Sequence, residues 1–384
     1  MIQPPPARIG DSLQSVDTPA LVLDLDAFER NLSLMAQAAR AAGLALRPHA
    51  KSHKCPTIAV RQVAAGAVGV CCQKVSEAEA LVEGGVADVL VTNEIVGDAK
   101  LARLARLAQR ARIGVLADDA ANVAALDAAA AGAGVRLDVL VEIDVGAGRC
   151  GVAPGEPAAA LARRIAATSS LRFAGLHAYH GAAQQLRTVA ERHAAIAQAA
   201  NATRATRELI EAGGVACPTV TGAGTGTFPL ESASGAWNER QPGSYLFMDA
   251  DYGRNEIDPR WPCFAQSLFV LTTVMSRPAA GRAVVDAGLK ASSVDSGMPL
   301  VWARRDVDDG VDKRADAGLE YVKASDEHGV LRIAAGAQAP ALGEKLLLVP
   351  GHCDPTINLH DWYVGVRKGV VEALWPITAR GALT

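Results

Sequence analysis

Three short clusters in this chain carry residues that could do chemistry together. The first is Arg47-Pro48-His49-Ala50-Lys51-Ser52-His53-Lys54, which closes a short apolar run. A lysine at the end of a buried strand loses solvation, and desolvation lowers an amine's pKa toward what Schiff-base chemistry requires. Lys51 fits that position, with Lys54 as the competing candidate. The second cluster is Thr221-Gly222-Ala223-Gly224-Thr225-Gly226. Its glycines leave backbone N–H groups unhindered, and its threonines add hydroxyls, the ingredients of a phosphate-sized anion nest. The third is His352-Cys353-Asp354. On an extended segment a histidine and a carboxylate two residues apart point the same way and bind one divalent cation, while Cys353 faces the other side. Two protein ligands leave positions open for water or substrate oxygens; the bland alternative is a polar turn at a strand end. A lysine and a phosphate-sized loop delivered to the same end of one fold suggest a pyridoxal-phosphate enzyme.

The elements that must position these residues are legible as alternation. Short apolar runs at Ala45–His49, Gly69–Gln73, Asp88–Thr92, Ile113–Ala117, Leu137–Ile143, Phe173–Tyr179, Thr219–Gly222 and Ser244–Met248 read as strands. Several are continuously apolar, as parallel strands buried on both faces must be. Helical stretches lie between them at Ser76–Glu83, Ala99–Arg110, Asn122–Ala131, Pro157–Thr168 and Arg187–Glu211. Strand and helix alternating in this way predict an α/β fold, a (β/α)8 TIM-type barrel spanning residues 20–255. An open doubly wound sheet is disfavoured, because no G-x-G-x-x-G follows the first strand. From about Trp261 the pattern changes to strand-like runs separated by turns: Ser267–Met275, Arg282–Asp286, Leu319–Lys323, Val330–Ala334, Lys345–Val349, Trp362–Val366 and Val370–Trp375. These predict a second, all-β domain over 260–384, joined by residues 1–19. The segment Arg304–Ala317 is densely charged and reads as a solvated loop.

In such barrels catalysis occurs at the C-terminal ends of the strands. Those ends hold Lys51, Gln73, Asn93-Glu94, Asp118, Asp144 with Arg149, Tyr179-His180, Gly222–Gly226, and Asp249 with Asp251. Asn93 and Asp118 read as ordinary polar caps.

Composition excludes several classes. The 384 residues carry a formal net charge of −3, which offers no basic footprint for nucleic acid or an anionic membrane. No apolar run reaches the roughly 20 residues that span a bilayer. Met1-Ile2-Gln3-Pro4-Pro5-Pro6 lacks the basic and apolar regions of a secretory signal. Seven cysteines without a C-x-x-C pair read as reduced thiols, so a cytoplasmic location is expected.

Longer blocks extend the reading. Arg47-Pro-His-Ala-Lys-Ser-His-Lys-Cys-Pro, Cys71-Cys-Gln-Lys-Val-Ser-Glu-Ala, Glu142-Ile-Asp-Val-Gly-Ala-Gly-Arg-Cys-Gly and Tyr179-His-Gly resemble the D-threonine aldolases. So do Gly222-Ala-Gly-Thr-Gly, Pro242-Gly-Ser-Tyr-Leu-Phe-Met-Asp, Asp286-Ala-Gly-Leu-Lys, Asp326-Glu-His-Gly and His352-Cys-Asp-Pro-Thr. The resemblance runs from about Asp17 to the C-terminus and includes 3-hydroxy-D-aspartate aldolases, D-serine dehydratases and, more distantly, alanine racemase.

It implies a fold-type-III enzyme that uses pyridoxal 5′-phosphate and a divalent metal, Mn²⁺ or Mg²⁺, and works as a homodimer. Its substrates would be D-configured β-hydroxy amino acids, cleaved by a retro-aldol step to glycine and an aldehyde. Lys51 would carry the cofactor and Arg149 would face its pyridine nitrogen. Gln73, Tyr179, Thr221, Gly224, Thr225 and Gly226 would surround the ring and phosphate, and His352 and Asp354 would hold the metal. A 3-hydroxy-D-aspartate aldolase releasing glyoxylate, or a D-serine or 3-hydroxyaspartate dehydratase, is the alternative. A β-carboxylate substrate would need a further cation, for which Arg187 or Lys290 is available. Two departures stand out: Ala223 replaces a glycine, tolerable where φ is negative, and Gln184-Gln185 stand where some D-threonine aldolases carry a histidine.

Overall fold

The computed structural model describes residues 3–302 and 316–384. The charged segment 304–317 therefore lies outside the described residues as far as 315.

The first strand, β1 (Ala20–Asp24), leads into α1 (Leu25–Ala41), whose first turn is capped by the Asp24 carboxylate accepting from the Ala27 N–H. Then strands and helices alternate: β2 (Ala45–Leu46), α2 (Pro56–Ala64), β3 (Val70–Cys72), α3 (Val75–Glu83), β4 (Asp88–Glu94) and α4 (Asp98–Leu107). They continue through β5 (Arg112–Ala117), α5 (Ala120–Ala133), β6 (Leu137–Glu142), α6 (Glu156–Ala166), β7 (Leu171–Ala178), α7 (Val189–Ala212), β8 (Thr219–Gly222), α8 (Phe228–Ser234) and β9 (Glu239–Arg240). Strands β2 to β9 form one eight-stranded parallel sheet in the order β2-β9-β8-β7-β6-β5-β4-β3. A bridge between His49 and Cys71 joins its ends, so the sheet closes on itself.

Side chains fill the barrel in layers, as a packed core requires. At the N-terminal mouth lies an alternating ionic layer. Arg47 binds Glu239 (3.0 Å) and Asp88 (2.6 Å), and Arg112 binds Asp88 (3.2 Å) and Asp138 (2.8 Å). Arg172 Nε closes on Asp138 at 2.6 Å. Above it is an apolar layer of Cys71, Leu90, Leu116 and Leu140. Above that, His49, Thr92, His177 and Gln241 make a polar floor for the C-terminal mouth. The ionic layer yields a stability test. Asp138→Asn weakens pairs with two arginines that are about half exposed. The expected cost in urea denaturation is about 1–2 kcal/mol, less than for a fully buried pair. A change below about 0.5 kcal/mol would show that water replaces the carboxylate.

The second sheet contains β10 (Leu268–Ala279), β11 (Arg282–Val285), β12 (Leu300–Val301), β13 (Leu319–Ala324), β14 (Gly329–Ile333), β15 (Lys345–Val349), β16 (Trp362–Arg367) and β17 (Val370–Pro376). A short helix, α9 (Cys353–Ile357), interrupts it. The path β13-β14-β11-β10-β1-β16-β17 shows that β1 belongs here, antiparallel to β10 and parallel to β16. The boundary expected at residue 20 thus moves to the end of β1, because Ala20–Asp24 bridges two strands that would otherwise leave a gap.

The eighth barrel strand also differs from expectation. Ser244–Leu246 is a 3-10 turn, and the strand is Glu239–Arg240. The apolar run ending at Met248 is buried irregular chain, held by the Thr225 hydroxyl accepting from the Tyr245 N–H. The real strand looks polar because Glu239 faces Arg47 inside the barrel while Arg240 is buried on the other side, over the Phe228 ring. All seven cysteines are free thiols. Among the described residues no helix is long and apolar enough to cross a membrane.

Candidate active site

Between the barrel's C-terminal mouth and the second domain lies a cavity of about 320 Å³, within the range of small-molecule sites. Of the ten residues singled out from the sequence, eight line it: Lys51, Gln73, Arg149, Tyr179, Gly224, Thr225, His352 and Asp354. Thr221 and Gly226 do not. Thr221 is buried one layer below, where its hydroxyl accepts from the Gln241 amide at 2.8 Å, and Gln241 takes its place in the wall. The Gly226 N–H donates to Gln184 Oε1 at 2.9 Å.

Lys51 sits on the turn that follows β2, with its amine 3.2 Å from Asp354 Oδ2 across the domain boundary. This reverses the expectation of a lowered pKa. The Asp354 carboxylate raises the Lys51 amine above its ordinary range, outweighing the burial that opposes it. The same contact helps keep Asp354 ionised against its own burial. The competing lysine is accounted for elsewhere: Lys54 is buried in an ion pair with Glu77, which also accepts from the Gln73 and Lys74 N–H groups at the start of α3.

The glycine loop is shaped by a neighbour. A β-carbon on Gly224 would lie 2.3 Å from Gln184 Oε1, so glycine is needed there for close packing. Gln184 is buried, and its amide also donates to the Thr227 hydroxyl at 2.8 Å. Ala223 has φ +66°, contrary to the negative angle expected, and holds a left-handed conformation unfavourable for a residue with a β-carbon. The Thr225 hydroxyl accepts from the Tyr245 N–H, which leaves its own proton free to donate into the cavity.

His352 and Asp354 do meet at the cavity, but not along an extended segment. His352 is extended (φ −142°, ψ 124°) and caps α9, and the helical turn then brings Asp354 to the wall. Cys353 is buried, with its thiol 3.3 Å from Asp354 Oδ1. His352 Nδ1 lies 2.8 Å from Asp295, a carboxylate that fixes the ring and directs Nε2 outward. That is the outer partner a metal-binding histidine commonly has.

Several wall residues were given no role in the sequence reading. His49 receives the Lys51 N–H at Nδ1 (3.4 Å), so its Nε2–H faces the Thr92 hydroxyl at 3.0 Å. Burial, reinforced by Lys51, holds His49 well below its ordinary pKa, and the ring is neutral. His177 reaches Gln241 through Nε2 (3.2 Å) and Glu142 through Nδ1 (3.5 Å). A polar side chain inside an otherwise apolar strand was the available signal for His177. Asp249 is buried beneath the cavity and accepts the Cys353 N–H at 3.0 Å, which ties the barrel to α9. Burial raises its pKa.

Comparison with known proteins decides the family. The alanine racemase N-terminal domain matches residues 23–251, and a serine dehydratase domain matches residues 267–366. A D-threonine aldolase from Arthrobacter sp. is 50% identical over 378 residues, covering 98% of this chain and 96% of the relative. The chain belongs to the D-threonine aldolase family. A 3-hydroxy-D-aspartate aldolase of Paracoccus denitrificans (strain Pd 1222) is 48% identical over 385 residues, covering 98% of this chain and 95% of that one. The crystal structure of D-threonine aldolase from Filomicrobium marinum superposes with a TM-score of 0.94 at 51% identity, covering 100% of both chains. Members of the D-threonine aldolase family are carbon–carbon lyases, and this chain is an enzyme of that class with the alanine racemase-like fold.

Proposed function

We propose that this enzyme cleaves D-configured β-hydroxy amino acids of the D-threonine type to glycine and an aldehyde. In this reading pyridoxal 5′-phosphate is held on Lys51, with Arg149, Gln73, Tyr179, Gly224 and Thr225 around it, and a divalent cation on His352 and Asp354. The observation that carries it is the meeting of the Lys51 amine, delivered by the barrel, with the Asp354 carboxylate, delivered by the second domain, at 3.2 Å in one cavity. The residues fit both groups: an accessible amine and a loop with a free hydroxyl proton suit the cofactor, and an imidazole braced by Asp295 beside a carboxylate suits a cation.

When bound, the cofactor supplies an electron sink at Cα and the cation a Lewis acid for the β-oxygen. The chain does the rest. Asp354 holds the proton on the Lys51 amine. Neutral His49, with Thr92 and Gln73, forms a cavity floor that carries no charge. The Arg149 guanidinium, 3.9 Å from Glu142, keeps a fixed positive charge at the wall.

The charges also bear on the substrate. Arg187 is bound to Asp251 (2.6 Å) and Asn255 (2.7 Å), and Lys290 pairs with Glu327 at the surface. Neither lines the cavity. A β-carboxylate would therefore lack the extra side-chain cation considered for it, which favours a small uncharged β-substituent. With D-threonine the expected products are glycine and acetaldehyde, and kcat/KM should exceed that for D-configured 3-hydroxyaspartate. Release of 2-oxobutanoate instead of glycine would replace the reading with a dehydratase.

A further inference from the structure

Behind Arg149 and His177 lies a pair of carboxyl groups that the mechanism above does not use. Glu142 ends β6, and Glu94 ends β4 within hydrogen-bonding reach of it. Both Glu94 oxygens are sealed from solvent, and among the described residues no hydrogen bond of ordinary geometry reaches either of them; the donors beside them are the Glu94 N–H and the weakly donating Cys150 thiol. Two carboxylates facing each other are acceptors only, and an unsatisfied buried acceptor is costly. A single hydrogen removes the conflict, since a protonated carboxyl donates to its neighbour. On its other side Glu142 Oε1 lies 3.5 Å from His177 Nδ1, with no hydrogen bond formed between them, and forms an ion pair with Arg149 Nη2 at 3.9 Å. The remaining neighbours are Asp118, which accepts from the Gly151 N–H at 3.0 Å, and the Cys150 thiol beside Glu94.

We propose that Glu94 and Glu142 share one proton, held on Glu94, and that the Glu142 carboxylate positions Arg149 and His177 at the cavity wall. Glu142 is then a positioning residue, and Glu94 fixes its charge at a single negative unit. The electrostatics agree. Burial, then the hydrogen bond with Glu142 and its charge, raise Glu94 to about 8. Burial also pushes Glu142 upward, but His177, the Glu94 hydrogen bond and Arg149 outweigh it and hold Glu142 low. Among the described residues Glu231 and Asp249 are other buried carboxyls whose pKa burial raises overall, and neither belongs to this cluster.

The sign of the pH dependence follows. The folded chain keeps a proton on Glu94 that the unfolded chain loses in the ordinary carboxylate range. Stability from this group therefore falls as pH rises from that range to about 8, and is level beyond it. E94Q mimics the protonated group and carries no titrating proton. Melting temperatures of the purified holoenzyme and of E94Q should diverge over that window, with the variant gaining on the wild type as pH rises. Glu231 and Asp249 titrate in both proteins and cancel in the difference. Infrared spectra at neutral pH should show a protonated-carboxyl carbonyl band that weakens in E94Q. Parallel melting curves with identical carbonyl bands would overturn the shared proton.

The effect on Arg149 rests on the cofactor reading of the cavity. E142Q should lower kcat/KM on the order of 10²-fold, the scale of a displaced active-site group, and shift the pH titration of the cofactor's absorbance. A rate and titration unchanged from wild type would overturn the positioning role. Wild-type protein with no cofactor absorbance would instead defeat the functional reading, and the infrared comparison would still report on the proton.

Discussion

Lys51→Ala should abolish the near-visible absorbance of lysine-bound cofactor and lower amino-acid cleavage by at least about 10³-fold, while the protein remains folded. Two terms are lost together: the covalent attachment and the amine that handles protons at the reacting carbon. Folding should survive, because the Lys51 side chain is 43% exposed into the cavity and its partner Asp354 can be solvated there. Lys54→Ala gives the opposite pattern. It strands the Glu77 carboxylate, which is buried and caps α3, so a stability loss of roughly 3–5 kcal/mol is expected with the absorbance retained in the folded fraction. Visible spectra combined with denaturant unfolding separate the two variants. Retention of the absorbance in Lys51→Ala would mean that another amine carries the cofactor.

The second large effect concerns the cation. Removing divalent metal with a chelator should reduce cleavage by roughly 10²–10³-fold, equivalent to a few kcal/mol of Lewis-acid stabilisation. The cofactor absorbance should change little, because the cation would act on the substrate's β-oxygen and not on the cofactor ring. His352→Ala should reproduce this split, since the ring is partly exposed and its side-chain partner Asp295 returns to solvent. Asp354→Asn is a less selective probe. It also removes the charge that raises Lys51, so the amine's pKa should fall toward its ordinary value. Activity restored by added Mn²⁺ or Mg²⁺ in the wild type but not in His352→Ala would support the assignment. Full activity in verified metal-free protein would defeat it.

Much of this was readable in the linear chain. Seven of the eight barrel strands and five of the helices between them appear as apolar runs and helical stretches, because burial on both faces demands continuous apolar residues in the strands. Lys51, Arg149, Tyr179 and the Gly224–Thr225 loop could be placed at one cavity wall because the loops that follow such strands line a single mouth. The eighth strand was hidden. Glu239 and Arg240 are polar yet buried, one facing Arg47 and the other set over Phe228. A polar pair of that kind reads as a loop wherever burial is judged from hydropathy alone, and the apolar run Ser244–Met248 took its place although its backbone turns.

What the sequence by itself determined is the set of elements and the ends at which chemistry could occur, since periodicity reports which faces are buried. Which buried groups meet was decided only by the tertiary structure. The insertion of β1 between β10 and β16 is a pairing between distant segments that no local pattern encodes. The pKa of Lys51 moves up rather than down because the second domain brings Asp354 to 3.2 Å, and a Coulombic partner at that distance outweighs desolvation. The turn at α9, rather than an extended segment, places Asp354 beside His352. Side-chain chemistry depends on through-space neighbours, and the chain order of these residues does not specify them.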